Sequence, residues 1–389
     1  NFRVFTNLFM FRPMKFVSKL ALFATVLIAL ASCKTVEVLP DPEPEPFDPE
    51  KGKVKGFYLL NEGPMGANKA TLDYCSLADG TYTKDIFAKK NPALVQGLGD
   101  VGNDVKAYGN KLYTVVNNSN LVEISDLTTG KHLENVSIPQ CRNVAFEGKY
   151  AYVTAYGGRT EGNKQYGIVT RIDTTSLRAI KSCEVGFQPE QIVSLNSKLY
   201  VVNSGWQVDG YDNRLIVIDA ATMEIEKEYE IAVNMTKIVA DGYGVLWIIS
   251  NGDYNTIPAS LYAFDTNSNT FTNTNISAAA MTVCGDSLYF YNSSYDPVTW
   301  AATFNYGIIN VKSKSKISDK IITDGTESAI TTPYCIAVNP TTRDIFITDA
   351  KDYSLPGSVH CYSKAGVLKW SQTTGIIPGS IAFTTKALQ

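Results

Sequence analysis

The chain predicts an all-β protein: a seven-bladed β-propeller closed by a C-terminal strand that completes the first blade. Three observations carry this reading. A short apolar strand with an aromatic anchor recurs seven times, at Gly56–Asn61, Lys111–Asn117, Lys149–Thr154, Lys198–Asn203, Val245–Ser250, Ser287–Asn292 and Asp344–Asp349. The anchors Tyr58, Tyr113, Tyr152, Tyr200, Trp247, Tyr289 and Phe346 lie 55, 39, 48, 47, 42 and 57 residues apart. One four-stranded blade takes about 40–50 residues. Helical periodicity is nearly absent, whereas Val, Ile, Thr and Tyr are abundant and turn pairs such as Asp79-Gly80 and Asp241-Gly242 recur.

From the N-terminus, Met14-Lys-Phe-Val-Ser-Lys19 is a short basic stretch. Leu20–Leu30 is an apolar run too short for a bilayer span of about 20 residues. With Leu30-Ala-Ser-Cys33 it reads as a secretory signal over 14–32. The cysteine directly after the cut resembles a bacterial lipobox, so Cys33 is the expected lipidation site. Residues 1–13 precede Met14 and are set apart from the fold as an upstream extension. Residues 33–53 carry Asp41-Pro-Glu-Pro-Glu-Pro-Phe-Asp-Pro-Glu50. Fixed proline φ angles and repelling carboxylates make an extended tether there.

The propeller is expected over 54–389. Blade four is the clearest blade: inner strand Pro189–Leu195, second strand Lys198–Asn203 after an Asn-Ser turn, third strand Arg214–Asp219, and outer strand Ile225–Ala232. The same order fits 97–139, with Asn103–Tyr108, Lys111–Asn117, Asn120–Asp126 and Leu133–Ile138, and fits 140–186, 234–277, 278–330 and 331–376 with varied loops. The first blade lacks an inner strand before Phe57. The spare strand Pro378–Thr384 supplies it, which closes the circle and removes both sheet edges.

Composition narrows the partners. The 35 Lys and Arg less Arg3, Arg12, Lys15 and Lys19 leave 31 against 38 Asp and Glu beyond residue 32. That acidic balance, without a basic run in the globular part, argues against nucleic acid. Six further cysteines, Cys75, Cys141, Cys183, Cys284, Cys335 and Cys361, form no CxxC pair and sit in strands as small apolar thiols. An even count in an exported chain also permits a bridge between blades. The two histidines, His132 and His360, have no HxH or HxxxH partner. No metal site and no catalytic residue is therefore assigned. Loop carboxylates Asp209, Asp212, Asp253 and Asp296 suit Ca²⁺ or, more often, turns.

Function is expected in the loops of one face. Blade four offers Ser204–Asn213 with Trp206 and Tyr211; blade six offers Ser293–Tyr306 with Tyr295, Trp300 and Tyr306. Tyr156, Tyr166, Tyr254 and Tyr353 come from blades three, three, five and seven, and Met65 from blade one. Tyr and Trp give contact area with a polar tip at low entropy cost, which suits a broad, partly apolar ligand. Three residues past the anchors lie Asn61, Val116, Ala155, Asn203, Ser250, Asn292 and Asp349. Their polar members either finish the buried strand or meet the ligand, and Asn61, Asn203 and Asn292 are the candidate amide partners.

Tyr200-Val-Val-Asn203, Val217-Ile-Asp219 and Val185-Gly-Phe-Gln-Pro-Glu190 resemble the repeat and blade joint of the YVTN (YncE-like) propellers over 54–385. Blades five and six lack the joint. Leu60–Tyr74, Leu98–Asp104, Ile322–Glu327 and Asp344–Lys351, with the Cys33 motif, are similar to BtuG-type surface lipoproteins. That resemblance implies a non-enzymatic protein, lipid-anchored at the outer membrane and exposed on the cell surface. It would capture cobalamin (vitamin B12) as ligand, with no cofactor, for a TonB-dependent receptor. A glycan-binding or structural surface propeller, and a lactonase-type hydrolase, are the alternatives.

Overall fold

The computed structural model describes residues 52–389 apart from 163, 207–210, 296–298, 300 and 301; the side chain of Tyr295 is also outside the description. The signal segment, Cys33, nearly all of the tether, Asp209, Asp296 and Trp300 therefore lie outside the described residues.

Among the described residues the strands form seven antiparallel sheets, each a propeller blade. Their inner strands are Pro378–Thr384, Gly102–Tyr108, Cys141–Glu147, Pro189–Leu195, Met235–Ala240, Ala280–Cys284 and Pro333–Val338. Each packs on the next, and the last returns to the first. Closure is by the C-terminal strand: Gly56 pairs with Thr384, Phe57 with Phe383, and on to Asn61 with Pro378.

Local chemistry sets each hairpin. Asn196 and Ser197 both take positive φ, 53° and 60°, the geometry a two-residue antiparallel turn needs. The third strands of blades two to six end in Asp126, Asp173, Asp219, Asp265 and Asn310. Each side chain accepts N–H bonds from residues two or three further on, as Asp126 does from Thr128 (3.0 Å) and Thr129 (2.9 Å). These Asx turns replace the ladder bonds lost at the strand end.

Six of the seven anchors are buried, and Tyr289 is partly buried. Tyr58 donates to the Leu127 carbonyl of blade two (2.7 Å), and Tyr152 to the Ala220 carbonyl of blade four (2.7 Å). Trp247 is fully buried and donates its indole N–H to Asp241 (3.0 Å). At the closure, Phe57, Phe346 and Phe383 meet edge to face, with centroids 5.0 Å, 5.5 Å and 6.1 Å apart.

Three details depart from the sequence reading. Thr160–Glu161 adds a short fifth strand to blade three, and Ile86–Lys90 forms one helical turn. The supposed blade-six loop is largely a hairpin: Ser287–Tyr295 pairs with Ala302–Asn310. Its alternating polar and aromatic residues extend the ladder, so Tyr306 stands in a strand opposite Tyr291 (centroids 6.3 Å) and not in a loop. All six described cysteines are free. No helix among the described residues is long and apolar enough to cross a membrane.

Candidate functional site

The site begins in the inner strands. Six of them carry a register shift just after the first residue: Pro378, Gly102, Cys141, Pro189, Met235 and Pro333. A bulge bends the strand and re-aims side chains. The two residues after each shift precede a Val or Ile that returns to the core: Gly379-Ser380, Asn103-Asp104, Arg142-Asn143, Glu190-Gln191, Thr236-Lys237 and Tyr334-Cys335.

The first member of each pair, with Asn143 and Lys237, lines a cavity of about 830 Å³ at the channel mouth, and every blade contributes. Blade one gives Glu62, Met65 and Gly379, blade two Val101 and Asn103, blade three Arg142 and Asn143, and blade four Glu190. Blade five gives Thr236, Lys237, Asn251 and Tyr254, blade six Ser277, Ala278, Tyr291 and Asn292, and blade seven Tyr334.

The second member of several pairs ties the ring together. Asp104 accepts the Val144 N–H (3.1 Å), Gln191 that of Ile238 (2.9 Å), and Ser380 that of Val105 (3.3 Å). Thr154, fully buried, accepts from the Asn143 N–H (3.1 Å) and donates to the Glu190 carbonyl (2.7 Å). Thr348 repeats this between Cys335 N–H (2.8 Å) and Pro378 carbonyl (2.7 Å). The bulges are thereby fixed without any ligand.

Four charged side chains face the cavity. Arg142 gives Nε and Nη2 to Glu190 (3.1 and 2.9 Å) and lies over the Tyr156 ring at 5.1 Å. Glu190 also accepts from the Tyr156 hydroxyl and from Ser204 (3.3 Å), so its acceptors are occupied. Burial, then Glu190, raises the Tyr156 phenol above its usual range. Glu62 accepts from the Tyr334 hydroxyl (3.0 Å). Burial raises its carboxyl from 4.5 to about 7, against the pull of Tyr334, Lys237 and Arg142. Gly379 lies against it: a Cβ there would stand 2.5 Å from Glu62 Oε1 and would displace that carboxyl. Lys237 is exposed into the cavity and makes no hydrogen bond or ion pair among the described residues. The amides of Asn103, Asn143 and Asn251 likewise have no protein partner among the described residues.

Of the sequence candidates, Met65, Tyr254 and Asn292 line this cavity. Met65 and Tyr254 are each 75% exposed, and Asn292 accepts from Ser277 (3.0 Å). Tyr156 joins through Glu190, and Trp206, 55% exposed, acts on the Tyr156 hydroxyl. Tyr353 stands edge to face with Tyr334 at 5.9 Å. Asn61 and Asn203 are fully buried: Asn61 donates to Thr71 Oγ1 (3.1 Å), and Asn203 to the Arg214 carbonyl (2.8 Å). Asp349 accepts from Thr331 and Thr332 (3.0 and 2.8 Å), and Ser250 donates to the Val233 carbonyl (2.6 Å). This set mainly finishes strand ends. Tyr211 is half-buried outside the cavity lining, Tyr306 packs into the cluster shared by blades six and seven, and Tyr166 lies under Arg159 at 4.3 Å.

Sequence reasoning overlooked Glu62, Arg142, Glu190, Lys237, Asn103, Asn143 and Tyr334. Except for Glu62, which follows the strand Gly56–Asn61, their signal was legible as the one or two residues preceding a Val or Ile near the start of an inner strand. His132 is paired with Glu123 (2.9 Å) on blade two, and His360 sits between Ser358 and Ser371 (2.9 and 2.8 Å) on blade seven. Asp212 holds Arg214 (2.7 Å), and Asp253 accepts from Asn255 and Ile257 (2.9 and 2.7 Å), both as turn residues. Among the described residues no three His, Cys, Asp or Glu groups gather as a metal site.

No curated protein sequence matches this chain significantly. Three solved structures share the fold. Hydrazine synthase of Kuenenia stuttgartiensis is 18% identical, with a TM-score of 0.56 over 72% of this chain and 89% of its own. The periplasmic gluconolactonase PpgL of Pseudomonas aeruginosa is 10% identical, with a TM-score of 0.54 over 85% and 99%. A quinoprotein alcohol dehydrogenase-like protein of Bacteroides thetaiotaomicron is 14% identical, with a TM-score of 0.51 over 85% and 78%. At such identities the likeness concerns the fold alone. Residues 55–375 match the family described as domain of unknown function DUF5074, and the chain is a seven-bladed β-propeller belonging to that family.

Proposed function

We propose that this protein is a non-catalytic, cell-surface capture protein. It binds cobalamin at the channel mouth and hands it to a TonB-dependent outer-membrane receptor. One observation carries the binding part: a preformed cavity, built by all seven blades, presents the partnerless amides of Asn103, Asn143 and Asn251 beside the exposed aromatic Tyr254. Such amides reward a ligand rich in amide groups and penalise one that leaves them dry. Corrin is broad and flat, with amide arms around an apolar plate. The ring needs little ordering on binding, so affinity can be high without chemistry. The Cys33 motif supports lipid anchorage, and the tether gives reach.

A glycan is the second reading, because the exposed Trp206 and Tyr254 rings offer stacking faces for a sugar.

The deciding experiment is calorimetric titration of the protein with cyanocobalamin and, separately, with a glycan panel. Trp206→Ala and Trp300→Ala should each weaken corrinoid binding by roughly 2 kcal/mol, the usual hot-spot scale, without unfolding the ring. No heat from folded wild type sinks the cobalamin reading. Cys33→Ala should release the protein from the membrane fraction; unchanged retention sinks the anchor.

A further inference from the structure

Lys237, like Asn143, stands outside a tie that the ring repeats at one register position. In six blades its register position, directly before the Val or Ile that follows the bulge, holds Ser380, Asp104, Asn143, Gln191, Lys237 or Cys335. Ser380, Asp104 and Gln191 each accept an N–H of the next inner strand. A lysine ammonium has donors only, so Lys237 cannot make that tie. Its long stem instead carries a cation into the cavity.

The other charges there do not neutralise it. Glu190 is taken up by Arg142, Tyr156 and Ser204. Glu62 is held by Tyr334, and its burial favours the protonated form up to about pH 7. A cation at the wall of a concave, half-open cavity attracts anions that enter it.

We propose that the cavity contains an anion subsite in which Lys237 is the counter-ion for a phosphate or carboxylate group carried by the ligand. This rests on the reading of the cavity as a ligand site and deepens it by naming a group the ligand carries. The phosphodiester of a nucleotide-bearing ligand and the carboxylate of an organic acid share the chemistry that Lys237 recognises. The charged or titratable groups around Glu62 are Tyr334 and Cys335 from blade seven, Lys237 from blade five and Arg142 from blade three. A proton on Glu62 leaves Lys237 and Arg142 facing one carboxylate, Glu190, so anion binding strengthens towards acid.

The test uses the full chain and two small probes: dimethyl phosphate, followed by phosphorus NMR line broadening, and acetate, followed by saturation transfer. Neither probe changes charge between pH 6 and 8, so any pH effect belongs to the protein. Wild type should bind one of them in the millimolar range. Lys237→Gln should weaken it by about tenfold or more, and Lys237→Arg should restore most of the loss. Lys364→Gln, at an exposed turn, should change nothing. Glu62→Gln should flatten the strengthening between pH 8 and 6. The stronger of the two probes identifies the group as phosphate or carboxylate. Equal binding by wild type and Lys237→Gln, or no binding of either probe by wild type, overturns the subsite. A protein that binds a probe through Lys237 yet gives no heat with cyanocobalamin overturns the cobalamin reading alone.

Discussion

Phe57→Ala should test the closure of the ring at one residue. Phe57 is fully buried on the second strand of blade one and pairs in register with Phe383 of the C-terminal strand. Its ring also meets Phe346 of blade seven. Truncating a buried phenylalanine to alanine costs about 3–5 kcal/mol. The edge-to-face pairs bring this site to the upper half of that range, since such pairs contribute about 0.5–1.5 kcal/mol beyond area. We expect about 4 kcal/mol by urea unfolding with an unchanged m value, and a midpoint lowered by about 8 °C at roughly 2 °C per kcal/mol. Phe383→Ala should be milder, because Phe383 is only partly buried. The two changes should couple, the double mutant losing about 1 kcal/mol less than the sum. A loss below about 1 kcal/mol for Phe57→Ala, or strict additivity with Phe383→Ala, would refute the claim that this cluster seals the ring.

Deleting 377–389 removes the whole inner strand of blade one and exposes the edge of Gly56–Asn61. The truncated protein should aggregate or lose cooperative unfolding, and a stable monomer in size-exclusion chromatography would contradict closure. Thr154→Val leaves the Asn143 N–H and the Glu190 carbonyl without their hydroxyl; it should cost about 1–3 kcal/mol in stability and also weaken ligand binding, whereas Val217→Ala should cost about 2 kcal/mol and leave binding alone. Glu123 is buried beside His132 and Ser125, and burial raises its carboxyl from 4.5 to about 7. The folded state then binds the proton more tightly, so stability should fall as pH rises from about 4.5 to 7, with Glu62 acting in the same direction. Glu123→Gln should flatten that slope in thermal melts, and an unchanged slope would refute the assignment.

The strands were legible because blade geometry repeats its chemistry. Gly56–Asn61, Lys198–Asn203, Arg214–Asp219, Val245–Ser250 and Pro378–Thr384 have the expected bounds, since each is an apolar run bracketed by turn formers. Blade six was misjudged because polar alternation in a ladder resembles a polar loop, and Thr303-Phe-Asn-Tyr306 alternates. Asn61 and Asn203 sit at the expected strand ends, but their amides turn to neighbouring strands and not to the channel. The direction of a buried amide depends on which carbonyl lies nearest, and that is a tertiary fact. Arg142, Glu190 and Lys237 escaped notice because each looks like an ordinary polar residue of a half-exposed strand. Only the bulge, which the ring context imposes, turns them inward.

In blades one, two and four the two residues after the bulge divide the labour of the ring, whereas Asn143 and Lys237 face the cavity from the second position as well. The position of Asp104, Gln191 and Ser380 carries bonds between blades, so a change there disturbs the fold. The position of Asn103, Arg142, Glu190, Thr236 and Tyr334 faces the cavity and is free to vary in size, charge and hydrogen-bonding sense. Backbone ties such as Thr154 and Thr348 hold both positions whatever side chain stands at the second. A ring built this way can alter its ligand by exchanging a handful of inner-strand residues at little cost to stability. Shared propeller architecture among a gluconolactonase, a hydrazine synthase and this chain is then expected from the fold and says little about the bound molecule. The bound molecule is to be sought in this chain's own cavity residues: the partnerless amides, Glu62 and the cation of Lys237.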